Sequence, residues 1–387
     1  MSGDQSASAP RRLKVMTLVG TRPEVIKLSR VIHELDRYVD HVLVHSGQNY
    51  DYELNEVFFQ QLQIRRPDHF LEAAGETAAA TIGNVIARAD EVIARERPDA
   101  FLVLGDTNSC LAVLPAKRRR VPVFHMEAGN RSFDDRVPEE VNRRVIDHLS
   151  DINLTYTEHA RRYLLREGIR PETVIKTGSP MLEVLSHYRD GIEGSEVIPR
   201  LGLEAGGYLV VSAHREENVD DPANFRALVD SLDRLAERFG RPVIVSTHPR
   251  TRKRLEEHPE LRVHENVRLL RPMGFFDYVQ LQRNAFCVVS DSGTITEEST
   301  ILGFPAVTIR QSHERPEGMD EGTLVMCGLN APDVLRAVEV VTDQHASGGG
   351  VPVFRTVADY DAPNVSKKVV RIILSYVDYV RRTVWNG

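Results

Sequence analysis

Short apolar runs alternate along the chain with longer stretches in which apolar residues recur at helical spacing. This alternation is typical of a parallel sheet whose strands are joined by crossover helices. Leu13–Val19 predicts a buried strand, and the turn Gly20–Pro23 leads into a helix whose apolar positions share one face. The first predicted unit is therefore a strand, a tight turn and a helix N-terminus.

The same pattern continues through both halves of the chain. A helix is predicted over Thr81–Arg95, and a Gly-containing stretch of weak periodicity around residues 185–195 separates the halves. The remaining predicted strands are His41–His45, Phe101–Leu104, Val121–Met126, Val174–Thr177, Tyr208–Val211, Val243–Ser246, Val267–Leu270, Phe286–Ser290 and Ala306–Ile309.

This pattern predicts an α/β fold of two Rossmann-like, doubly wound domains that face each other across a cleft. The predicted segments are a flexible leader over residues 1–12, a first domain over 13–187, a second domain over 188–362 and a final segment over 363–387. Apolar residues at helical spacing in the final segment predict an amphipathic helix that packs back on the first domain.

Composition and charge exclude several classes of protein. The 387 residues carry 49 Lys and Arg against 56 Asp and Glu, so the net charge of −7 gives no general basic field for nucleic acid or an anionic membrane. No apolar run is long enough to span a bilayer, and the polar start lacks the apolar core of a secretory signal, so a cytoplasmic location is expected. Three scattered cysteines and 14 scattered histidines form no metal-binding pattern, and we expect neither a metal nor another cofactor.

Polar residues gather where six of the predicted strands end. The segments that follow these strands are Gly20–Arg22, Gly105–Ser109, Glu127–Gly129, Ser212–Arg215, Ser246–Arg250 and Ser290–Gly293. Any one of these Asp or Ser residues is also a natural helix cap. Because the carboxyl ends of parallel strands share one edge, the six segments together predict a site in the cleft.

One of these segments has the features of a phosphate site. Ser292 and Gly293 form a small-residue turn at a predicted helix N-terminus, and Glu297, one turn into the helix, suits the hydroxyls of a ribose. Ser292 with the acidic pair that follows equally suits a plain capping motif. The cations that a diphosphate needs are offered by Arg22, Lys27, His214 and Arg315.

Carboxylates form a second group of candidates, which consists of Asp106, Glu127, Glu139 and Glu140. Neighbouring buried carboxylates differ in proton affinity, so that one acts as an acid while another stays a base. The alternative for Glu139 and Glu140 is a solvated helix start, paired with Arg143 and Arg144 at helical spacing. The chain lacks GxGxxG, GxxxxGK[ST] and GxSxG motifs, which argues against dinucleotide redox chemistry, a P-loop NTPase and a nucleophile-elbow hydrolase.

Ten short motifs follow one another along about residues 13–385. They are Gly20–Lys27, Gly105–Ser109, His125–Gly129, Pro138–Arg143, Thr177–Gly178, His214–Asn218, Thr247–Pro249, Ser290–Gly293, Glu297–Glu298 and Glu314–Glu317. In this order they resemble the non-hydrolysing UDP-N-acetylglucosamine 2-epimerase family. The resemblance implies an isomerase with a fold like that of GT-B glycosyltransferases, a homodimer, and a UDP-activated 2-acetamido sugar as substrate.

Several longer stretches more closely resemble one branch of that family, which makes UDP-N-acetyl-L-fucosamine from UDP-2-acetamido-2,6-dideoxy-L-talose for surface polysaccharides. These stretches are His45–Asn55, Pro115–Arg120, His125–Asp135, Asp151–Asn153, Thr177–Pro180 and Gln311–Gly318. Many bacterial members have Gly-Gln-His where this chain has Gly47-Gln48-Asn49. Since that region contributes to a regulatory sugar site in those proteins, we do not expect allosteric activation here.

The resemblance also implies roles for individual residues. Arg22 and Lys27 would hold the diphosphate and the reacting sugar, Ser292 and Gly293 would cradle phosphate, Glu297 would bind ribose, and Tyr278 would lie near uracil. His248 and Arg315 match further substrate-binding positions. The positions that the family ties to catalysis are Asp106, Glu127, Glu139 and His214.

The family's route inverts C2 by expelling UDP from C1, which gives a 2-acetamidoglycal to which UDP adds back. The alternatives are a UDP-N-acetylglucosamine/UDP-N-acetylmannosamine 2-epimerase, a GT-B glycosyltransferase, a hydrolysing epimerase and a catalytically silent nucleotide-sugar sensor. A glycosyltransferase needs an acceptor, and a hydrolysing enzyme accumulates UDP, so product analysis separates them.

Overall fold

The structure is a computed structural model. It describes residues 11–385 except 49–51, 214, 248, 259–260, 262, 313–314 and 350–352. Most of the predicted leader, together with Asn49, Tyr50, His214 and His248, therefore lies outside the described residues.

Two parallel sheets organise the fold. The strands of the first sheet are β1 (Lys14–Val19), β2 (Asp40–His45), β3 (His69–Phe70), β4 (Ala100–Leu104), β5 (Val123–Met126), β6 (Ile152–Thr155) and β7 (Val174–Lys176). Those of the second sheet are β8 (Leu209–Ser212), β9 (Val243–Ser246), β10 (Val267–Leu270), β11 (Cys287–Ser290), β12 (Ala306–Thr308) and β13 (Val325–Met326). Their spatial orders are β3-β2-β1-β4-β5-β6-β7 and β10-β9-β8-β11-β12-β13. The order reverses once in each sheet, as a doubly wound fold requires.

Helices connect the strands and cover the sheets. The first half contains α1 (Arg22–Tyr38), α2 (Tyr52–Gln61), α3 (Ala78–Glu96), α4 (Val113–Arg118), α5 (Pro138–Leu149), α6 (Glu158–Arg166), α7 (Met181–His187), α8 (Arg189–Glu193) and α9 (Val197–Arg200). The second half contains α10 (Glu216–Val219), α11 (Pro222–Phe239), α12 (Pro249–Glu257), α13 (Phe275–Arg283), α14 (Ile295–Leu302), α15 (Pro316–Asp320), α16 (Ala331–Ser347) and α17 (Val365–Val384).

The predicted fold class, two doubly wound α/β domains in a GT-B-like arrangement, is confirmed. All ten predicted strands are present, with ends within two residues of those predicted. The prediction missed β3, β6 and β13. Two of these strands are only two residues long, and β6 carries buried Asn153 and Thr155, which hide its apolar character.

The turn between β1 and α1 is held by one buried carboxylate. Glu24 accepts hydrogen bonds from the backbone N–H groups of Gly20, at 2.6 Å, and Thr21, at 2.7 Å. It also accepts one from the Thr107 hydroxyl at 2.7 Å, which fixes the loop after β4 against this turn. A Cβ on Gly20 would lie 2.0 Å from the Ser109 hydroxyl oxygen, so only glycine fits this close approach.

The last helix, α17, packs on the first sheet although it follows the second sheet in sequence. Its buried residues Val369 and Ile373 belong to the same core cluster as Leu28 and Ile32 of α1. The chain thus crosses back at its end, and the first domain gains a second helix on the face that α1 covers. This burial makes α17 part of the core of the first domain.

We predict that Ile373→Ala lowers the free energy of unfolding by about 2–5 kcal/mol, because Ile373 is fully buried and its truncation leaves a cavity. The neighbouring Leu374 is half-exposed, so Leu374→Ala should change it by less than about 0.5 kcal/mol. Urea denaturation of both variants followed by circular dichroism checks this. Equal effects would mean that α17 does not pack through this face.

Candidate active site

The polar strand ends of the two sheets lie at the points where the strand order reverses. In the first sheet this point is between β1 and β4, where Arg22 and Asp106 follow the strands. In the second sheet it is between β8 and β11, where Ser292 and Gly293 follow β11. Open α/β sheets bind ligands at such points. The six polar segments that follow predicted strands in the sequence thus lie at the carboxyl ends of the strands in the two sheets.

Four side chains from the two domains form a closed ring of alternating charge, which we call the charge ring: Lys27, Glu127, Arg315 and Glu297. Lys27 Nζ lies 2.5 Å from Glu127 Oε2 and 3.8 Å from Glu297 Oε2. Arg315 lies 2.7 Å from Glu127 Oε1 and 3.1 Å from Glu297 Oε2. The side chains are 0–12% exposed, so these interactions are poorly screened by water. The ring joins the two domains electrostatically.

The first domain contributes Lys27 from the second turn of α1 and Glu127 from the residue that follows β5. Glu127 has a φ of +64°, a left-handed conformation that is uncommon for a residue other than glycine. Gly129 then has a φ of +83°, and a Cβ there would lie 2.5 Å from the Ala160 carbonyl oxygen. The backbone is thus turned sharply where it presents the Glu127 carboxylate, and such strain is common at functional sites.

The second domain contributes Glu297 from the first turn of α14 and Arg315 from the residue before α15. The Ser179 hydroxyl, from the first half of the chain, donates a hydrogen bond to Glu297. Burial alone lowers the pKa of Arg315, but Glu297 and Glu127 raise it well above its ordinary value. Arg315 therefore stays charged although it is enclosed by both domains.

Asp106 belongs to a neighbouring cluster around Arg143. The Arg143 guanidinium donates to Asp106 Oδ2 at 2.8 Å and to Glu140 at 2.9 Å. Burial raises the pKa of Glu140, but hydrogen bonds from the Ser132 backbone N–H and Arg143 lower it below the ordinary value. Glu140 thus pairs with Arg143 at helical spacing, as the alternative interpretation of the sequence predicted, but it is fully buried and not part of a solvated helix start.

Glu139 lies half-buried in the first turn of α5. No contact is seen between its side chain and Asp106 or Glu127 among the described residues. The structure therefore brings Lys27, Glu127, Glu297 and Arg315 together, places Asp106 beside Arg143, and leaves Glu139 outside both clusters.

The predicted phosphate turn precedes α14. The Ser290 hydroxyl accepts a hydrogen bond from the Ser292 backbone N–H at 3.0 Å, and the Ser292 and Thr294 hydroxyls lie 3.0 Å apart. Gly293 is partly exposed between them. The Ser292 hydroxyl accepts only a long bond, 3.4 Å, from the Thr294 N–H, so its role as a helix cap is weak.

Two other predicted binding residues lie near these clusters. Arg22 Cζ stands 5.8 Å from the centre of the Phe58 ring, within the range of a cation–π contact. Tyr278 on α13 packs against the core of the second domain, and burial raises its pKa above the ordinary value. His214 and His248 fall outside the described residues.

Sequence reasoning missed several residues of the site, namely Glu24, Arg143 as a partner of Asp106, Tyr156 and Ser179. The helical spacing of Arg143 was visible in the sequence, but it pointed to Glu139 and Glu140 rather than to Asp106. Tyr156 directly follows β6, so recognition of that strand would have placed it among the strand-end residues.

Two structural features bear on other functions. No described helix is long and apolar enough to cross a membrane. Across the described ranges, His, Cys, Asp and Glu side chains form no group of three that could hold a metal ion.

Comparison with known proteins identifies the family. A profile described as UDP-N-acetylglucosamine 2-epimerase matches residues 33–374. The chain belongs to this family. The structure of UDP-N-acetylglucosamine 2-epimerase from Rickettsia bellii is 52% identical and superimposes with a TM-score of 0.90 over 97% of this chain and 100% of that one. The family and the class of enzyme predicted from the motifs, an isomerase, are confirmed.

Two further relatives add ligands and substrates. The UDP-GlcNAc 2-epimerase of Methanocaldococcus jannaschii, in complex with UDP-GlcNAc and UDP, is 30% identical with a TM-score of 0.87 over 94% of this chain and all of that one. The UDP-2,3-diacetamido-2,3-dideoxy-D-glucuronate 2-epimerase of Pseudomonas aeruginosa is 34% identical over 82% of this chain and 87% of its own length. Relatives of this chain thus carry names for different sugars, and the L-talose branch stays a prediction.

We predict that Arg143→Gln lowers 2-epimerase turnover by about 10-fold or more, because the buried guanidinium fixes Asp106, a candidate catalytic residue, and small displacements of such a group would be costly. The adjacent Arg144 is about half-exposed and reaches Glu140 only at 3.5 Å, so Arg144→Gln should change turnover by less than about 3-fold. Steady-state kinetics of both variants checks this. If Arg143→Gln turned over like the wild type, Asp106 would not depend on Arg143.

Proposed function

We propose that the chain epimerises C2 of a UDP-activated 2-acetamido sugar by eliminating UDP and adding it back. The favoured reaction converts UDP-2-acetamido-2,6-dideoxy-L-talose to UDP-N-acetyl-L-fucosamine for surface polysaccharide synthesis. The observation that carries the proposal is the charge ring, in which both domains place cations and carboxylates at one buried point. Elimination of a diphosphate needs cations that stabilise the departing phosphate oxygens and, close to them, a carboxylate that removes the proton.

The chemistry explains why a leaving group is needed. The C2 proton is not acidic, because no carbonyl adjoins C2. When the C1–O bond breaks, its electron pair leaves with UDP while a base removes the C2 proton, and a C1=C2 double bond forms. UDP then adds back at C1 as a proton arrives at C2 on the opposite face, so atoms and charge balance without an oxidant.

The charge ring suits this sequence of steps. Lys27 and Arg315 are the cations that would hold the diphosphate, and their pairing with it would release the Glu127 carboxylate that they otherwise occupy at both oxygens. Preorganised donors at a site of developing negative charge supply about 3 kcal/mol each. Because the ring is buried, no solvent has to reorganise when the diphosphate departs.

The remaining residues receive roles that are part of the same proposal. Asp106, Glu127 and Glu139 remove and deliver the C2 proton, and His214 stabilises the departing diphosphate. The nucleotide is held by Arg22, His248, Tyr278, Ser292, Gly293 and Glu297, with Ser292 and Gly293 at phosphate, Glu297 at ribose and Tyr278 near uracil. A homodimer, a cytoplasmic location and a domain boundary between residues 187 and 188 remain predictions.

One second candidate has specific support. The relative from Rickettsia bellii, at 52% identity, carries the name UDP-N-acetylglucosamine 2-epimerase. Interconversion of UDP-N-acetylglucosamine and UDP-N-acetylmannosamine is therefore the alternative reaction, with the same mechanism and the same residues. The two substrates differ in the configuration at C3 and C5 and in the hydroxyl at C6.

We predict that turnover in deuterated water places deuterium at C2 of the product, since the removed proton exchanges with solvent. The wild-type chain is incubated separately with UDP-2-acetamido-2,6-dideoxy-L-talose and with UDP-N-acetylglucosamine, and the products are read by NMR. Faster labelling of the 6-deoxy sugar supports the favoured reaction, and faster labelling of UDP-N-acetylglucosamine supports the alternative. An unlabelled epimer would refute proton exchange at C2, and stoichiometric free UDP would indicate a hydrolysing enzyme.

We predict that Glu127→Gln and Asp106→Asn each lower turnover by about 100-fold or more while UDP still binds, because each removes a proton-transfer group and leaves the nucleotide contacts in place. Glu167→Gln is the control, since Glu167 also pairs with a buried arginine, Arg131, at 2.7 Å but lies outside the charge ring. Turnover is measured by NMR and UDP affinity by calorimetry. A wild-type rate in either variant removes that residue from the mechanism.

A further inference from the structure

Tyr156 carries a polar group that the mechanism does not use. It directly follows β6, its side chain is fully buried, and its hydroxyl makes no hydrogen bond of good geometry with any described residue, although it lies close to the Glu127 carboxylate. Buried hydroxyls are nearly always hydrogen-bonded, because burial without a partner gives up the hydrogen bonds to water. An exception of this kind requires an explanation.

The other buried tyrosines of the described residues follow the rule. Tyr188 donates to the Leu62 carbonyl at 2.7 Å, and Tyr208 donates to the Leu281 carbonyl at 2.9 Å. The third, Tyr360, donates to a carboxylate oxygen of Glu317 at 2.5 Å. Tyr156 is therefore distinguished from these three by its position and not by its residue type.

That position is beside the charge ring. Lys27 Nζ lies 5.8 Å from the centre of the Tyr156 ring, within cation–π range. Burial first, and then the negative charges of Glu127 and Glu297, raise the pKa of Tyr156 well above its ordinary value. The phenol thus keeps its proton at any pH at which the enzyme works, and it acts as a hydrogen-bond donor.

We infer that Tyr156 is a specificity-determining residue, whose hydroxyl donates a hydrogen bond to the carbonyl oxygen of the substrate's 2-acetamido group. The inference rests on the proposed function. Glu127 is one of the carboxylates assigned there to the C2 proton, and the acetamido group is another substituent of C2. A donor beside Glu127 therefore faces the neighbourhood of this carbonyl.

The chemistry of the acceptor agrees with this assignment. The diphosphate already has the cations Lys27 and Arg315, whereas an amide carbonyl is a neutral acceptor that suits a neutral phenol. The acetamido carbonyl oxygen of the bound sugar would accept the hydrogen bond that the Tyr156 hydroxyl does not form within the protein. The site therefore favours a 2-acetamido over a 2-hydroxy sugar. Sites built around an unpaired polar group reject ligands that lack the matching group.

The test compares Tyr156→Phe with the matched control Tyr208→Phe, since each removes one oxygen atom from a buried tyrosine. If the Tyr156 hydroxyl is unsatisfied in the free protein, Tyr156→Phe should keep the wild-type Tm or raise it by about 1–4 °C. Its kcat/KM for the UDP-2-acetamido sugar should fall by about 10- to 100-fold, while the stabilisation by UDP alone stays unchanged. Tyr208→Phe should lower Tm and leave kcat/KM within about 2-fold.

A second readout tests the acceptor itself. In Tyr156→Phe, the inhibition constant of UDP-glucose divided by that of UDP-N-acetylglucosamine should fall by about 10-fold. In Tyr208→Phe this ratio should stay constant. A wild-type kcat/KM in Tyr156→Phe, an unchanged ratio, or a fall in Tm together with loss of UDP binding would each overturn the inference. If the wild-type chain epimerises neither sugar, the proposed function fails and the inference fails with it. Activity in the wild type with no change in Tyr156→Phe removes the inference alone.

Discussion

The burial of four charged side chains between two domains is the constraint on which the rest of the structure depends. Lys27 pairs with Glu127 within one domain and Arg315 pairs with Glu297 within the other, and the contacts Arg315–Glu127 and Lys27–Glu297 close the ring between the domains. The two contacts between the domains therefore link the ring to the closed arrangement of the domains. The doubly wound sheets supply the rigid strand ends that make this meeting possible.

A ring of this kind is suited to exchange of partners. In the proposed reaction, an entering diphosphate would offer Lys27 and Arg315 anionic oxygens in place of those of Glu127, so that both cations keep a buried partner while the identity of the anion changes. The carboxylate that is released is Glu127, whose left-handed backbone already departs from the usual conformation. In the free protein, the ion pairs of Lys27 and Arg315 with Glu127 thus hold these side chains in place, and substrate binding would replace those pairs.

The sequence predicted ten of the thirteen described strands, most of the strand-end residues and the family, because periodicity and local turn chemistry are encoded by neighbouring residues. It did not predict that Glu127 meets Arg315, since residues 188 positions apart are paired only by the packing of whole domains. Helical spacing correctly paired Glu140 with Arg143 but said nothing of Asp106, which the fold brings to the same guanidinium. Tyr156 was not predicted as a strand-end residue, because the polar residues Asn153 and Thr155 interrupt the apolar pattern of β6.

Two departures from local rules lie at or beside the charge ring, namely the left-handed backbone of Glu127 and the unpaired hydroxyl of Tyr156. Next to the ring, a buried network satisfies every group that it contains: the two ring nitrogens of His125 lie 2.9 Å from Asp147 and 2.7 Å from the Gly105 carbonyl oxygen, and Arg131 pairs with Asp147 at 2.7 Å. This network braces the loop that carries Asp106. Stability from such satisfied neighbours allows the unpaired hydroxyl of Tyr156 and the strained backbone of Glu127 to persist, because strain endures only where the surrounding structure determines it. Both departures lie where the proposed reaction would take place, and strain of this kind is often stored at functional sites.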